Sequence, residues 1–385
     1  MNERAPAALV ANVHGSVDPV FARVRDAFAT NLAVGDDLGA SVAVFQHGRC
    51  VVDLTGGETA KGAPYPHDAL QLFYSVTKGV TTFCLMHLAT QGKLELDALV
   101  TRYWPDFGEA GKDAVTVRQM LSHQAGLCSI AEPVTMADLS NWDRVTSLLA
   151  AQRPYWTPGT AHGYHALTFG FLAGELVRRI SGKSVGTYLQ DVFAQPMGLD
   201  LFIGLPPHLH DRVQRLFDAP ANPALGRALA DAAMNPRSLT HGAFANPPID
   251  TEIFNDPAVW AMELPGANGI GSAISLAALY STAIDGPLRQ ISAETVNDFR
   301  RECVFGDDLV LTEQPTRFGA GFMLPCPRDP MLSLNSFGHN GRGGSLAFAD
   351  PESGIAFAYV GNRLNHEPSP HTRLWRLLAA LREAL

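Results

Sequence analysis

A serine and a lysine three residues apart, Ser75-Val-Thr-Lys78, stand where an apolar helix is predicted to begin. Residues at this spacing share a helix face, so the hydroxyl and the amine can meet. A serine hydroxyl is a weak nucleophile until a neighbouring base takes its proton. Lysine can be that base only as the free amine, and burial beside Val80, Phe83 and Leu85 would lower its pKa toward working pH. The amide of a residue at a helix N-terminus has no intrahelical acceptor and is free to donate to an oxyanion. The chemistry these groups could perform is attack on a carbonyl with transfer of the acyl group to Ser75. Standing alone, the pattern is explained equally well by an N-cap serine followed by a surface lysine. Its place between a strand region and an apolar helix favours the chemical reading.

Two other segments could complete such a site. Tyr164 ends the run Tyr155-Trp-Thr-Pro-Gly-Thr-Ala-His-Gly-Tyr164, just before a predicted helix. A tyrosine there could project into a cleft and pass the nucleophile's proton to a leaving group. Packing as an interfacial aromatic is the plainer alternative. Phe337-Gly-His-Asn-Gly-Arg-Gly-Gly-Ser345 directly precedes a predicted strand. Its glycines let backbone approach a ligand closely, and a strand edge beside the nucleophile could supply a second oxyanion donor. An ordinary Gly-rich turn is the alternative.

Other patterns carry less. Gly182-Lys-Ser-Val-Gly186 matches the elbow of α/β-hydrolases, but a helix precedes it where a strand is needed. Gly182 reads as a C-cap and Ser184 as the N-cap of the next helix. The same Gly-Lys-Ser lacks the earlier glycine of a phosphate-binding loop, since Val177 stands there. The histidine pairs at 162 and 165, and at 208 and 210, come with no cysteine or carboxylate set suited to a metal.

The elements that must position these groups follow from periodicity and turn residues. A helix is predicted from Asp18 to about Leu32, then a hairpin of strands Ala40–Phe45 and Cys50–Leu54 turning at Gly48. The helix that carries Ser75 and Lys78 runs from Phe73 to Ala89 and stops at Gly92. Helices follow at Thr116–His123, Trp142–Ala151 and Ala166–Ile180, with a long structured loop from Pro236 to Gly271. Strands return at Gly319–Leu324, Ser345–Ala349 and Gly354–Val360, the last two joined by a turn at Asp350–Gly354, before a helix from His371 to Leu385. The expected fold class is α/β (α+β), an antiparallel sheet flanked by helices plus an all-helical lobe. The sheet lobe takes residues 1–95 and 290–385 and the helical lobe residues 96–289, with the site in the cleft between them.

Bulk properties agree with a globular enzyme. The 385 residues exceed one ordinary core, and 46% are hydrophobic against 17% charged. A net charge of −9 argues against a nucleic-acid partner. No apolar run approaches the ~18 residues of a membrane span. The opening residues lack the pattern of a secretory signal, and five scattered cysteines without a C-x-x-C spacing suit a reducing compartment, so the cytoplasm is the expected location. Oligomeric state is left open.

Ser75-x-x-Lys78, Tyr164 and His339-Asn-Gly341 occur in an order that resembles class C β-lactamases, penicillin-binding proteins and, most closely, family VIII carboxylesterases. Leu121-Ser-His-Gln-Ala-Gly-Leu127, Trp156-Thr-Pro-Gly-Thr160, Tyr164-His-Ala166 and Glu263-Leu-Pro-Gly-Ala-Asn268 extend the resemblance over about Leu38 to Asn362. It implies Ser75 as nucleophile, with Lys78 and Tyr164 as proton-transfer partners. It places the oxyanion hole on the amides of Ser75 and Arg342, and substrate contacts at His339, Asn340, Gly341 and Asn268. Two positions depart from the β-lactamase pattern: Ala166 stands where an asparagine is usual, and His339 where a lysine is usual. That lysine helps hold a β-lactam carboxylate, and a mostly neutral histidine does so less well. The expected function is hydrolysis of small, short-acyl esters without metal or organic cofactor. A β-lactamase, amidase or D-amino-acid peptidase or transesterase on the same machinery, and a catalytically silent binding protein, are the alternatives.

Overall fold

Both ends of the chain contribute strands to one six-stranded antiparallel sheet. The computed structural model describes residues 12–60, 62–219, 227–312, 315–327, 329–365 and 372–385. The strands are β1 (Val13–Val17), β2 (Gly39–Gln46), β3 (Arg49–Gly57), β4 (Phe337–Asn340), β5 (Leu346–Asp350) and β6 (Ile355–Gly361), in the spatial order β1-β3-β2-β6-β5-β4. β2 and β6 meet at the centre, Ala43 opposite Ala358 and Val44 opposite Phe357. The helices that cover the sheet or frame the site are α1 (Ala22–Ala33), α2 (Val76–Thr90), α3 (Val117–Leu121), α4 (Trp142–Ala151), α5 (Thr168–Ser181), α6 (Ala273–Ser281) and α7 (Thr372–Arg382).

Alternation along the central strands sorts large from small side chains. Ile355, Phe357 and Tyr359 of β6 share an apolar cluster with Val24 and Phe28 of α1 and Leu377 and Leu381 of α7. Ala356 and Ala358 turn to the other face with Ala43, Ala347 and Ala349, where α6 packs. Alanines on that face let a helix approach closely. Every residue of β6 is buried, which is why it reads as an unbroken apolar run.

The predicted hairpin, the helix carrying Lys78, and helices α4 and α5 lie where periodicity placed them. Several elements differ. β1, for which no element was predicted, is a mostly exposed edge strand. Residues 319–324 form a turn rather than a strand, and the strand there is Thr316–Phe318, paired with Val304–Gly306. Gly338 and its neighbours are themselves a strand, hydrogen-bonded to β5. The expected loop 236–271 contains helices Leu239–Ala245, Thr251–Phe254 and Pro257–Ala261, each capped by the side chain before it, Ser238, Asp250 and Asp256. They are too short to show a helical period. α6 falls within 96–289 yet packs on β2, β5 and β6, so the sheet layer draws in residues assigned to the helical lobe. Its run Ala-Ile-Ser-Leu-Ala-Ala-Leu-Tyr-Ser is apolar on nearly every side, as burial beneath a sheet requires.

Among the described residues no helix is long and apolar enough to cross a membrane. The opening eleven residues, and His371 at the start of the predicted last helix, lie outside the described residues.

Candidate active site

Ser75 occupies the N-cap of α2 and is half-buried. Its predecessor Tyr74 has φ +47°, a left-handed conformation that bulky residues avoid. The neighbours hold it there. The Tyr74 carbonyl accepts from the amide of Thr77 at 2.9 Å, and Phe73 donates to the Gly269 carbonyl at 3.1 Å. The Tyr74 ring is 4.9 Å from that of Phe254. The turn therefore presents the Ser75 hydroxyl instead of letting it fold back as a cap, and no cap hydrogen bond forms.

Lys78 lies one helical turn on and is fully buried. Its Nζ is 3.1 Å from Ser75 Oγ and 2.7 Å from each of two carbonyl oxygens, those of Ala166 and Gly266. A neutral amine has two N–H groups and one lone pair. The two carbonyls take the N–H groups, so the lone pair is left for the Ser75 O–H. Burial drives the amine well below the ordinary lysine range. The Tyr164 ring, 4.8 Å from Nζ, favours the cation, but such contacts are worth only about 0.5–2 kcal/mol. Burying an ammonium that has no counter-ion costs several kcal/mol, and no carboxylate pairs with Lys78 among the described residues. Desolvation wins, which favours the neutral amine.

The carbonyl from Gly266 is held by deliberate local structure. Thr81 Oγ1 donates to the Pro265 carbonyl at 2.5 Å and Gly269 donates to Thr77 Oγ1 at 2.8 Å, so α2 grips residues 265–269 at three points. Asn268 folds that segment: its Oδ1 accepts from Leu264 at 2.9 Å and its Nδ2 donates to the carbonyls of Val259 and Met262 at 2.8 and 2.7 Å. With its amide spent on backbone and no exposure, Asn268 does not face a substrate. The expected contact is corrected to a scaffold role. Ala166 acts through its carbonyl, so the absence of an asparagine side chain there leaves the Lys78 contact intact.

Tyr164 stacks on Phe318 at 6.3 Å and touches the rings of His123 at 5.1 Å and His339 at 6.0 Å. Its amide donates to Asp308 Oδ1 at 3.0 Å, an oxygen that also accepts from Val310 and Leu311 at 2.8 Å. Asp308, 144 residues away in the chain, had no signal in the sequence. His123, another residue not singled out, has φ +63° and accepts from the His165 amide at 3.1 Å. His165 donates through Nδ1 to the Gly163 carbonyl at 2.6 Å and accepts from the Leu127 amide at 3.1 Å. Burial lowers its pKa to about 4, so both rings brace the loop that carries Tyr164 as neutral groups.

The strand β4 brings the third segment alongside. A Cβ on Gly341 would lie 2.3 Å from the Phe73 carbonyl, so only glycine allows this approach to the Ser75 turn. Among the described residues, neither the Ser75 nor the Arg342 amide donates to a protein acceptor. His339 is buried on the same side; its Nδ1 donates to the Asn340 carbonyl at 2.6 Å and its Nε2 has no partner. Burial, with Lys78 nearby, lowers its pKa to about 3. Asn340 is partly exposed, and its amide donates to Asp329. The Arg342 guanidinium lies 5.6 Å over the Tyr74 ring and 3.6 Å from Asp218. Ser184 caps its helix and donates to Glu263 at 2.6 Å, away from this cleft, as the N-cap reading requires.

Comparison with known proteins places this geometry. The family model described as Beta-lactamase matches residues 24–382. The chain is 34% identical over 372 residues to an esterase/beta-lactamase, LipL, of Mycobacterium tuberculosis, covering 91% of this chain and 83% of that protein. It superimposes on the crystal structure of a family VIII carboxylesterase with a TM-score of 0.89 at 37% identity, over 97% of this chain and 100% of the other. A penicillin-binding protein homolog from Caulobacter crescentus gives 0.87 at 38% identity, again over 97% and 100%.

Proposed function

The chain belongs to the beta-lactamase family, and from that premise we propose that it is a carboxylesterase hydrolysing small, short-acyl esters through an acyl-enzyme on Ser75. The observation that carries the reading is Lys78 Nζ, bound to two carbonyls with its remaining position toward Ser75 Oγ. The Ser75 proton passes to the neutral amine as Oγ bonds to the ester carbonyl carbon. The oxyanion rests on the Ser75 and Arg342 amides. Tyr164 relays the proton to the departing alkoxide, leaving the acyl group on Oγ. Water then attacks the acyl carbon as the same pair takes its proton; the bond to Oγ breaks, the proton returns to Oγ, and the acid leaves.

An ester fits better than a β-lactam or a D-peptide, which bring a carboxylate. His339 is neutral and offers that carboxylate no charge, and Arg342 already has Asp218 beside it. The similar structure named as a family VIII carboxylesterase supports the same choice, while the Mycobacterium tuberculosis relative is named for both activities. A small-molecule ester is the expected partner, with neither nucleic acid nor membrane, and the cytoplasm the expected compartment; the charge of −9 and five free cysteines support this.

A fluorophosphonate probe followed by peptide mass spectrometry tests the assignment. Label is expected on Ser75 and lost in Lys78→Ala with the fold kept. Label on Ser184, or an active enzyme unlabelled at Ser75, overturns it. Turnover of a chromogenic ester against a cephalosporin and a D-alanyl peptide separates the substrate classes.

A further inference from the structure

Arg342, whose amide completes the oxyanion hole in the proposed mechanism, lays its guanidinium over the Tyr74 ring and leads into a glycine pair, the first packed against Leu364. Gly343 and Gly344 follow at φ +82° and +102°. Two backbone bonds close the turn, Gly341 N–H to the Ser345 carbonyl at 2.7 Å and Gly344 N–H to the Gly341 carbonyl at 3.0 Å, and a longer one from Asn365 N–H reaches the Gly343 carbonyl at 3.2 Å. Glycines in such conformations are permissive, so the turn needs an external anchor to keep one orientation.

That anchor reaches in from α7. The Arg373 guanidinium, 1% exposed, donates through Nη2 to the Gly343 carbonyl. Through Nη1 it donates to Asp37 Oδ1 at 2.7 Å and to the Arg363 carbonyl at 3.0 Å. Tyr359 of β6 donates its hydroxyl to the same Asp37 oxygen, and its ring lies 5.4 Å from the guanidinium carbon. Contact is close: a Cβ on Gly344 would lie 2.7 Å from Arg373 Nη2. Among the described residues, Asp37 Oδ2 and Arg373 Nε have no partner. A buried ion pair of this kind contributes little net stability, because desolvation offsets its attraction. What it does supply is a fixed point for the carbonyl one residue beyond Arg342.

We propose that the buried Arg373–Asp37 pair is a positioning device that aims the Arg342 amide at the oxyanion. It rests on the acyl-enzyme reading above. Neither residue touches substrate.

The test compares an oxoester with its thionoester analogue, because sulfur is a larger and weaker acceptor and an ordered oxyanion hole discriminates against it. Arg373→Met is expected to lower kcat for the oxoester about 10- to 100-fold, less than or near the loss of a whole oxyanion donor, with KM changed little. The oxoester-to-thionoester rate ratio should narrow by a similar factor, while the pH dependence of kcat/KM stays in place because Lys78 is untouched. Asp37→Asn and Arg373→Lys, which keep donors in the pocket, should show smaller losses in the same direction and serve if the methionine variant does not fold. Equal loss on both substrates, with the ratio unchanged, would make the pair merely structural and overturn the proposal. Ser75 labelling by a fluorophosphonate uses the same hole without ester turnover. Wild type that labels but cleaves no ester would fail the ester reading alone, and slower labelling in the variants would still support the anchor.

Discussion

In the proposed mechanism the chemistry turns on Lys78, and its environment fixes the sign of a pH effect. The active form is the free amine, so activity is present above its folded pKa and is lost as pH falls through it. Burial sets that pKa well below the ordinary lysine value of 10.5. The expected kcat/KM profile for a neutral ester has an acid limb of one proton, with its midpoint well below that value. A histidine could be blamed for such a limb, and His339 is the nearest candidate. Its pKa of about 3 means it is already neutral across the working range. His339→Gln should therefore leave the midpoint in place whatever it does to the rate. A limb that moves or vanishes in that variant would transfer the titration to the histidine. Ser75, Lys78 and Tyr164 stand out in the sequence because their side-chain types are what the chemistry needs. The carbonyls of Ala166 and Gly266 do not, since every residue has one. Asn268 looks like a substrate ligand for a reason that misleads: an amide's identity says nothing of its direction, and this one is spent on backbone partners.

At the scale of elements, the site exists because α2 and β4 come within backbone distance of each other. Gly341 is the contact, since a methyl carbon there would lie 2.3 Å from the Phe73 carbonyl oxygen, closer than any real contact. Gly341→Ala must push β4 away from the Ser75 turn or shift that turn. Overpacking of this kind costs about 1–3 kcal/mol of stability, read as a lower urea midpoint with an unchanged slope. Because the Arg342 amide moves with β4, kcat should fall about 100-fold or more, the price of one oxyanion donor. A variant destabilised to that extent with full kcat would separate the strand from the oxyanion hole. Periodicity predicted α4 at its observed limits because ten residues give nearly three turns of pattern. The helices between 239 and 261 have four to seven residues and no such pattern, although their caps Ser238, Asp250 and Asp256 were visible. β4 was obscured by its own glycines, which strands rarely favour and this close approach demands. The strained Tyr74 has no sequence signal at all, because the aromatic side chain argues against the φ that tertiary contacts impose on it.

Over the whole molecule, charge selects among the substrates that the site could cleave. The chain carries −9, and Asp218 and Asp250 stand near Tyr74, beside the nucleophile, together with Arg342. A carboxylate-bearing substrate approaching this cleft meets repulsion that a neutral ester does not. Such repulsion acts over a Debye length of about 30 Å at 0.01 M salt and about 8 Å at physiological ionic strength. For a neutral chromogenic ester, kcat/KM should be nearly flat over that range. For a monoester of a dicarboxylic acid with the same leaving group, it should start lower and rise severalfold with salt as the field is screened. The effect belongs in KM, since the acylation step itself senses Lys78 and the two amides equally for both substrates. An anionic ester that is preferred at low salt, and loses its advantage as salt is added, would instead point to Arg342 as a carboxylate-holding group. That result would return the β-lactam and D-peptide readings to the front, because they need such a group and His339 cannot provide it.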